Sequence, residues 1–317
     1  MSTDQTRMLP YSMIVGQGDL RRALEIAYVS PRVGGVLATG QRGTAKSTTV
    51  RAFAQMVLGR LPVTLPIGAT DDRVLGGWDV EKLIQGHSAT RPGLLEQAHH
   101  EGGGLLYIDE VNLLDDYLVN IILDAAAWGT LAVEREGIGE QLRDVRFTLI
   151  GTMNPEEGSL RPQLLDRFGL VAFVASEEDP TVRHEILRNV LAFESDGADQ
   201  HSAMVSQARA ADAELGRSLA AARERVSAVT LPDEILALCA RIAGAFSAAG
   251  HRGELATAYA AQALAAIDGS RVVTTDHVAR VVPLTLVHRR SAADPGLLTA
   301  WTNEDAEALL RVVAGAR

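Results

Sequence analysis

Cysteine is nearly absent from this sequence of 317 residues, where Cys239 stands alone. One thiol can form neither an internal disulfide nor a zinc site built on paired cysteines, so a reducing compartment is the expectation. Long apolar runs are missing too, and nothing approaches the roughly 20 residues that a membrane-crossing helix needs. The opening stretch, MSTDQTRMLPYSMIVGQ, lacks the charged-then-apolar order of a signal segment. Together these absences predict a cytoplasmic chain with no membrane association. Basic residues are in deficit as well, with 30 Lys and Arg against 40 Asp and Glu and a formal net charge of −10. Nucleic-acid binding needs clustered cations to neutralise phosphates, so no nucleic-acid partner is expected. A ring with a basic pore inside an acidic shell is the one arrangement that escapes that argument. No low-complexity tract and no repeat of solenoid spacing is found.

The first half alternates short apolar runs with helical stretches. Val33–Thr39, Val63–Ile67, Leu105–Asp109, Phe147–Thr152 and Leu170–Ala175 read as buried strands. Ser47–Leu58, Gly93–His100, Leu114–Ala127 and Leu160–Phe168 read as the helices between them. Such alternation predicts an α/β fold with a parallel sheet covered by helices on both faces. Two segments break the pattern: an irregular Gly-rich insertion at 68–92, and a polar stretch at 131–146 whose Gly137 and Gly139 suit a hairpin. After Ser176 the pattern is helical only, with Thr181–Phe193, Ala203–Val226, Leu231–Ala249, Ala256–Ile267, Asp276–Val282 and Asn303–Val313. Glu194–Gln200 reads as a loop, and Thr302 with Asp305 forms a capping box before the last helix. The expected division is therefore an α/β domain over 1–178 and a helical domain over 179–317.

Gly40-Gln41-Arg42-Gly43-Thr44-Ala45-Lys46-Ser47, continued by Thr48, follows a strand and opens a helix, the context a phosphate loop requires. Backbone N–H groups of such a loop wrap phosphates, and the helix N-terminus adds its positive dipole end. Lys46 pairs the outer phosphates, and Ser47 offers Mg²⁺ an oxygen. Ala45 stands where the pattern has its second glycine, and alanine fits only if the backbone there keeps φ negative. Leu105–Glu110 is an apolar strand ending in two acids. Asp109 there can hold Mg²⁺ and Glu110 can polarise an attacking water. Asn154 follows the next strand and offers an amide that can orient that water. ATP hydrolysis with ATP and Mg²⁺ as cofactors is the chemistry these parts imply.

With these residues in place, the sequence resembles the ATPase subunit of magnesium chelatase, an AAA+ family. The resembling segments are Ile14–Gln17, Gly34–Thr48, Leu65–Ile84, Leu105–Asp116, Val133–Gly137, Gly151–Leu170 and Gly250–Gly269. GTMNPEEG…LRPQLLDRFG is far more specific than the phosphate loop, and GTAKS is an accepted variant of that loop in the family. The resemblance implies an AAA+ α/β domain followed by a helical lid. It implies that Arg167, beside Asp166 at the subunit interface, is the arginine finger that reaches the neighbouring subunit's nucleotide. It likewise implies that Arg252 is the sensor arginine of the lid, and that Ile14 and Val15 pack near adenine. The insertion and the hairpin become partner-engaging projections, with Trp78 as a contact point.

The implied function is an Mg²⁺-dependent ATPase motor, working as a homo-oligomer, by resemblance a hexameric ring. It would drive metal insertion into a tetrapyrrole through partners: a chelatase subunit with a von Willebrand A domain and a tetrapyrrole-binding subunit. The alternative is a MoxR-type remodeller that activates a von Willebrand A domain partner. A DNA-translocating ATPase is disfavoured by charge. His99-His100 face different directions on a helix and do not read as a metal pair. Cys239 reads as a small core residue, and His288-Arg289-Arg290 as a basic helix C-terminus.

Overall fold

A computed structural model describes residues 8–85, 87, 89–99, 103–135, 139–199, 203–290 and 298–315. Five strands form one sheet: β1 (Val36–Thr39), β2 (Val63–Leu65), β3 (Gly104–Ile108), β4 (Phe147–Met153) and β5 (Leu170–Phe173). Their spatial order is β2-β3-β4-β1-β5, and every pairing is parallel. Strands buried on both faces read as largely apolar runs, which is why β1, β3, β4 and β5 are visible in the sequence, whereas β2 at the sheet edge has Thr64 exposed.

Alternate residues serve opposite faces of the sheet. On one face Val36, Ala38, Tyr107, Ile150 and Leu170 join a core that includes Phe53, Leu219, Leu238, Ala261 and Val281. On the other, Leu37, Ile108, Leu149 and Val171 pack with Val119, Ile122, Leu164 and Phe168. The first core runs without a break from the sheet through Gly18–Val29 and Lys46–Leu58 into the C-terminal helices. The C-terminal helices are thus anchored to the sheet domain by shared apolar burial. Arg252–Ile267, with small residues over most of its length, can approach its neighbours closely for that reason.

Several boundaries differ from the sequence expectation. Glu194–Gln200 was expected as a loop, but the helix Pro180–Asp199 continues through Glu194–Asp199 despite Gly197, and Gln200 lies outside the described residues. One interior Gly disfavours a helix by only about 1 kcal/mol, which neighbouring turns can absorb. Arg252–Ile267 begins four residues earlier than the apolar pattern suggests, which puts Arg252 in its first turn. Thr275–Leu286 runs through Pro283 because Val281, Val282, Leu284 and Leu286 are all buried, and packing outweighs the missing backbone bond. Asp233–Ala245 stops early, with Ser247 in the left-handed region at φ 50°. The helix expected over Leu160–Phe168 shrinks to Pro162–Leu165.

Among its described residues the insertion carries regular elements where an irregular segment was expected. It contains helical turns at Asp71–Leu75 and Val80–Ile84 and a small antiparallel ribbon pairing Gly77–Trp78 with Thr90–Arg91. Its base closes at Gly76, with φ 86°, where a Cβ would lie 2.5 Å from the Arg91 carbonyl oxygen. Trp78 is half-buried within it, while Ile84 and, elsewhere, Trp128 are strongly exposed. The second interruption is a hairpin of Thr130–Arg135 and Gly139–Asp144; Gly137 lies outside the described residues.

Candidate nucleotide site

Parallel register brings three strand ends together. Thr39 of β1 pairs with Met153 of β4, and Ile108 of β3 pairs with Gly151 of β4. The residues that follow, Gly40, Asn154 and Asp109, therefore leave the sheet at the same edge. Open α/β sheets bind ligands outside such carboxyl ends. Here the edge opens into a cleft of about 500 Å³ lined by Arg42–Thr48, Asp109, Glu110 and Thr152–Asn154.

The phosphate loop is held from several sides. The Lys46 ammonium donates to the Gly40 oxygen at 2.6 Å, the Gln41 oxygen at 2.7 Å and Thr44 Oγ1 at 3.3 Å. Burial lowers its pKa from the ordinary lysine value, with Asp109, Glu110 and Glu157 opposing. Gln17 pins the loop from behind: its Nε2 donates to the Thr44 oxygen at 2.6 Å, and its Oε1 accepts from Thr49 Oγ1 at 2.7 Å. Ala45 does not keep a negative φ. It adopts φ 58° and ψ 21°, so the loop retains the glycine-type geometry with an alanine in it. A left-handed L-residue costs about 1–2 kcal/mol, which the surrounding bonds offset.

Asp109 sits in a hydroxyl network. Its Oδ1 accepts from Tyr107 Oη at 2.7 Å and Thr152 Oγ1 at 2.7 Å, and lies 3.5 Å from Ser47 Oγ. Tyr107 Oη is also 2.8 Å from Ser47 Oγ. A phenol has one proton and a carboxylate only accepts, so the Tyr107 proton goes to Asp109 and the Ser47 proton turns toward Tyr107. Burial, reinforced by Asp109, pushes the Tyr107 phenol up to about 12, so it stays a neutral donor. The donor set around Ser47 and Asp109 is all oxygen, which is what Mg²⁺ selects.

Glu110 takes the left-handed conformation at φ 54°, a strained geometry that turns the chain sharply at the strand end. Its amide donates to Thr152 Oγ1 at 3.3 Å, and its carboxylate lies 3.5 Å from Arg42, which also pairs with Glu157 at 3.3 Å. Arg42 is 78% exposed, so these pairs are weak tethers. Asn154 is buried, lines the cleft and caps the following turn, its Oδ1 accepting from Glu156 N.

Of the other expected site residues, Arg167 and Arg252 are not among the described residues that line this cleft. Arg167 Nη1 pairs with Asp124 at 2.7 Å and donates to the Asn120 oxygen at 3.3 Å. Arg252 pairs with Asp166 at 3.2 Å, next to Arg167. Ile14 and Val15 do not line the cleft either, and Ile14 belongs to the core. His99 accepts from the Arg146 amide at 2.9 Å; its neighbour His100 lies outside the described residues. Cys239 is buried in the core, and burial pushes its thiol up to about 11. Sequence reasoning missed Gln17, Tyr107, Thr152 and Asp124 as supporting groups. A polar hydroxyl two residues before Asp109 in an otherwise apolar strand was the available signal for Tyr107.

Two family models match the chain: the AAA domain of the dynein-related subfamily over residues 35–168 and the AAA lid domain over residues 236–311. A Mycobacterium tuberculosis protein, Rv2850c, is 46% identical over 288 residues, covering 89% of this chain but only 44% of that protein's length. The magnesium-chelatase 38 kDa subunit of Acidiphilium rubrum is 41% identical over 351 residues, 98% of this chain and 99% of that subunit. A cryo-EM structure of the complex between subunits BchI and BchD of magnesium chelatase contains a chain 38% identical to this one. It has a TM-score of 0.51 and covers 91% of this chain and 98% of that one. A crystal structure from Cytophaga hutchinsonii, 17% identical with a TM-score of 0.65, covers 95% of this chain and 90% of that one and shows the fold alone. Among the described residues, no helix is long and apolar enough to cross a membrane.

Proposed function

The chain belongs to the magnesium-chelatase 38 kDa subunit family of AAA+ proteins, and from that premise we propose that it is an Mg²⁺-dependent ATP hydrolase. In this reading it is the motor subunit of a chelatase-type complex and drives metal insertion into a tetrapyrrole through partner subunits. What carries the reading is the meeting of phosphate loop, Asp109–Glu110 and Asn154 at one sheet edge. The named chelatase relatives favour it over a remodeller of the MoxR type.

Each residue then has a task. The N–H groups of Gly43–Ser47 and the Lys46 ammonium bind the phosphates. Ser47 and Asp109 hold Mg²⁺, which neutralises charge on the outer phosphates when bound. Glu110 takes up proton density from the attacking water, and Asn154 orients it. Ile14 and Val15 border the adenine side. Arg167, held by Asp124, acts on the nucleotide of the next copy in a ring, six copies being the proposed number, and Arg252, paired with Asp166, is the sensor arginine of the lid. An interface that joins the cleft of one copy to Arg167 of the next is heterologous, and such an interface generates a ring where its rotation closes. The α/β unit ends near residue 178 and the lid follows. A BchD-type subunit with a von Willebrand A domain and a tetrapyrrole-binding subunit are the proposed partners, and the insertion and hairpin the surfaces that meet them. The compartment proposed is the cytoplasm.

The test is Glu110→Gln, which keeps size but removes the base. Titration with labelled nucleotide should give near-wild-type binding, while phosphate release falls by about 10²-fold or more. Undiminished steady-state release would remove the assignment.

A further inference from the structure

The segment that carries Arg167 is gripped from the lid by a residue that the sequence presents only as part of a basic helix end. Arg289 has a side chain 2% exposed and spends all five guanidinium protons on named acceptors. Its Nε donates to Asp166 Oδ1 at 3.0 Å. Its Nη2 donates to the Asp166 carbonyl at 2.6 Å and the Phe168 carbonyl at 2.7 Å. Its Nη1 donates to the Gly169 carbonyl at 3.3 Å and to the Thr285 carbonyl of its own helix at 2.6 Å. His288 adds a bond from Nε2 to the same Phe168 oxygen at 2.9 Å; a carbonyl only accepts, so that nitrogen carries the proton.

The contacts bracket one residue. The carbonyls on both sides of Arg167 are bound to Arg289, whereas the Arg167 side chain goes to Asp124, an acceptor that is 52% exposed. Behind the segment, a Cβ on Gly169 would lie 1.8 Å from the Val33 oxygen, so the backbone is wedged between β1's approach and the lid. Gly253, beside Arg252, leaves room for the Arg289 stem, since a Cβ there would lie 3.2 Å from Arg289 Cδ. Asp166 meanwhile divides its carboxylate, Oδ1 to Arg289 and Oδ2 to Arg252. The backbone is fixed, whereas the side chain is held by one half-exposed ion pair to Asp124 and one bond to the Asn120 carbonyl at 3.3 Å. That is the arrangement expected of a group that must swing from one partner to another without losing its base.

We propose that Arg289 is a positioning residue for the arginine finger, fixing the backbone around Arg167 to the lid so that the guanidinium reaches the neighbouring copy's phosphates in register. The inference rests on Arg167 acting on a neighbouring copy, as proposed above. Arg289 itself touches no nucleotide; it acts through the Asp166–Gly169 backbone.

Arg289→Lys keeps the charge and stem but replaces a planar fork with one nitrogen, which cannot serve the spread of acceptors. The folded variant, checked by circular dichroism and by its melting midpoint, should bind labelled ATP with wild-type affinity. Its kcat should fall by about 10²-fold with KM little changed, as for a reacting group displaced by about an ångström. The defect should lie on the finger side alone. Mixing Arg289→Lys with Lys46→Ala should restore hydrolysis, because an intact phosphate loop then meets an intact finger at some interfaces. Mixing Arg289→Lys with Arg167→Ala should restore none. Arg289→Gln is the second variant, with the same expected pattern. Near-wild-type kcat in both variants, loss of ATP binding, failure of both to fold, or rescue by Arg167→Ala would each overturn the assignment. Arg167→Ala mixed with Lys46→Ala runs alongside. If that control pair stays inactive, the neighbouring-copy reading falls. If it regains activity and Arg289→Lys with Lys46→Ala does not, the positioning role falls.

Discussion

Replacing Tyr107 with Phe removes one oxygen from beneath the proposed metal site and leaves the ring in place. The ring is fully buried between Gly104–Ile108 and the phosphate-loop helix, so the hydrophobic contribution survives the change. Lost are the bond to Asp109 at 2.7 Å and the contact with Ser47 at 2.8 Å. Asp109 keeps Thr152 at 2.7 Å, so its carboxylate is loosened and not orphaned. A hydrogen bond to a charged group contributes about 1.5–3 kcal/mol. Loss of an outer-shell partner typically lowers metal affinity by about 10–100-fold, which is the same range expressed as a ratio. Two readouts follow. The Mg²⁺ concentration giving half-maximal ATPase rate should rise by about that factor, with the rate at saturating Mg²⁺ reduced less. Independently, labelled ATP binding at fixed nucleotide should need correspondingly more Mg²⁺, while binding without the metal should be unchanged. An identical Mg²⁺ dependence in Tyr107→Phe and the parent would refute the argument that the phenol orders Ser47 and Asp109.

Three further outcomes are expected. Ala45→Gly should relieve the left-handed strain at φ 58° and raise stability by about 0.5–1 kcal/mol, less than the full strain because glycine gains unfolded-state freedom; urea unfolding checks it, and a loss of stability would contradict it. His288 is held well below its ordinary value of 6.5, first by burial and then by the Arg289 charge. The unfolded chain takes up a proton near that value that the folded chain refuses, so stability is full above it and falls below it by about 1.4 kcal/mol per pH unit. His288→Gln should therefore flatten the acid side of a stability-against-pH curve, and equal slopes in variant and parent would remove His288 as the cause. Specific ATPase activity should rise with protein concentration over the range where copies assemble; a constant value from a species that sizing shows to be a monomer would count against a composite site.

The elements carrying chemistry were legible because each stands at the end of an apolar run that a parallel sheet must bury. Gly40 and Asp109 are marked by the strands before them together with the phosphate-loop pattern and the acidic pair, and Asn154 only by its place after these two. What the sequence hid was hidden for physical reasons. Tyr107 lies inside a run of apolar strand residues, and only the fold reveals that its hydroxyl emerges beside Ser47. Arg289 looks like a solvated helix end, yet it is buried because the lid docks on Asp166–Gly169, a contact across more than a hundred residues. The conformation of Ala45 is imposed by the bonds around the loop, against the residue's own preference. Glu194–Asp199 has the polar, Gly-bearing composition of a loop, and the helix before it simply continues.

Catalysis is proposed to need residues from two copies, Lys46 with Glu110 from one and Arg167 from the next. The most direct test is phosphate release from Arg167→Ala and Lys46→Ala, each alone and mixed in equal amounts after time for subunit exchange. Each variant alone should be nearly inactive, since removing a finger costs about 10³-fold or more. In the mixture about a quarter of the interfaces should regain both halves, because each heterologous interface draws its loop from one copy and its finger from the next. Activity well above either variant alone is the predicted result. A mixture as inactive as its components, with co-assembly shown by pull-down, would contradict the claim.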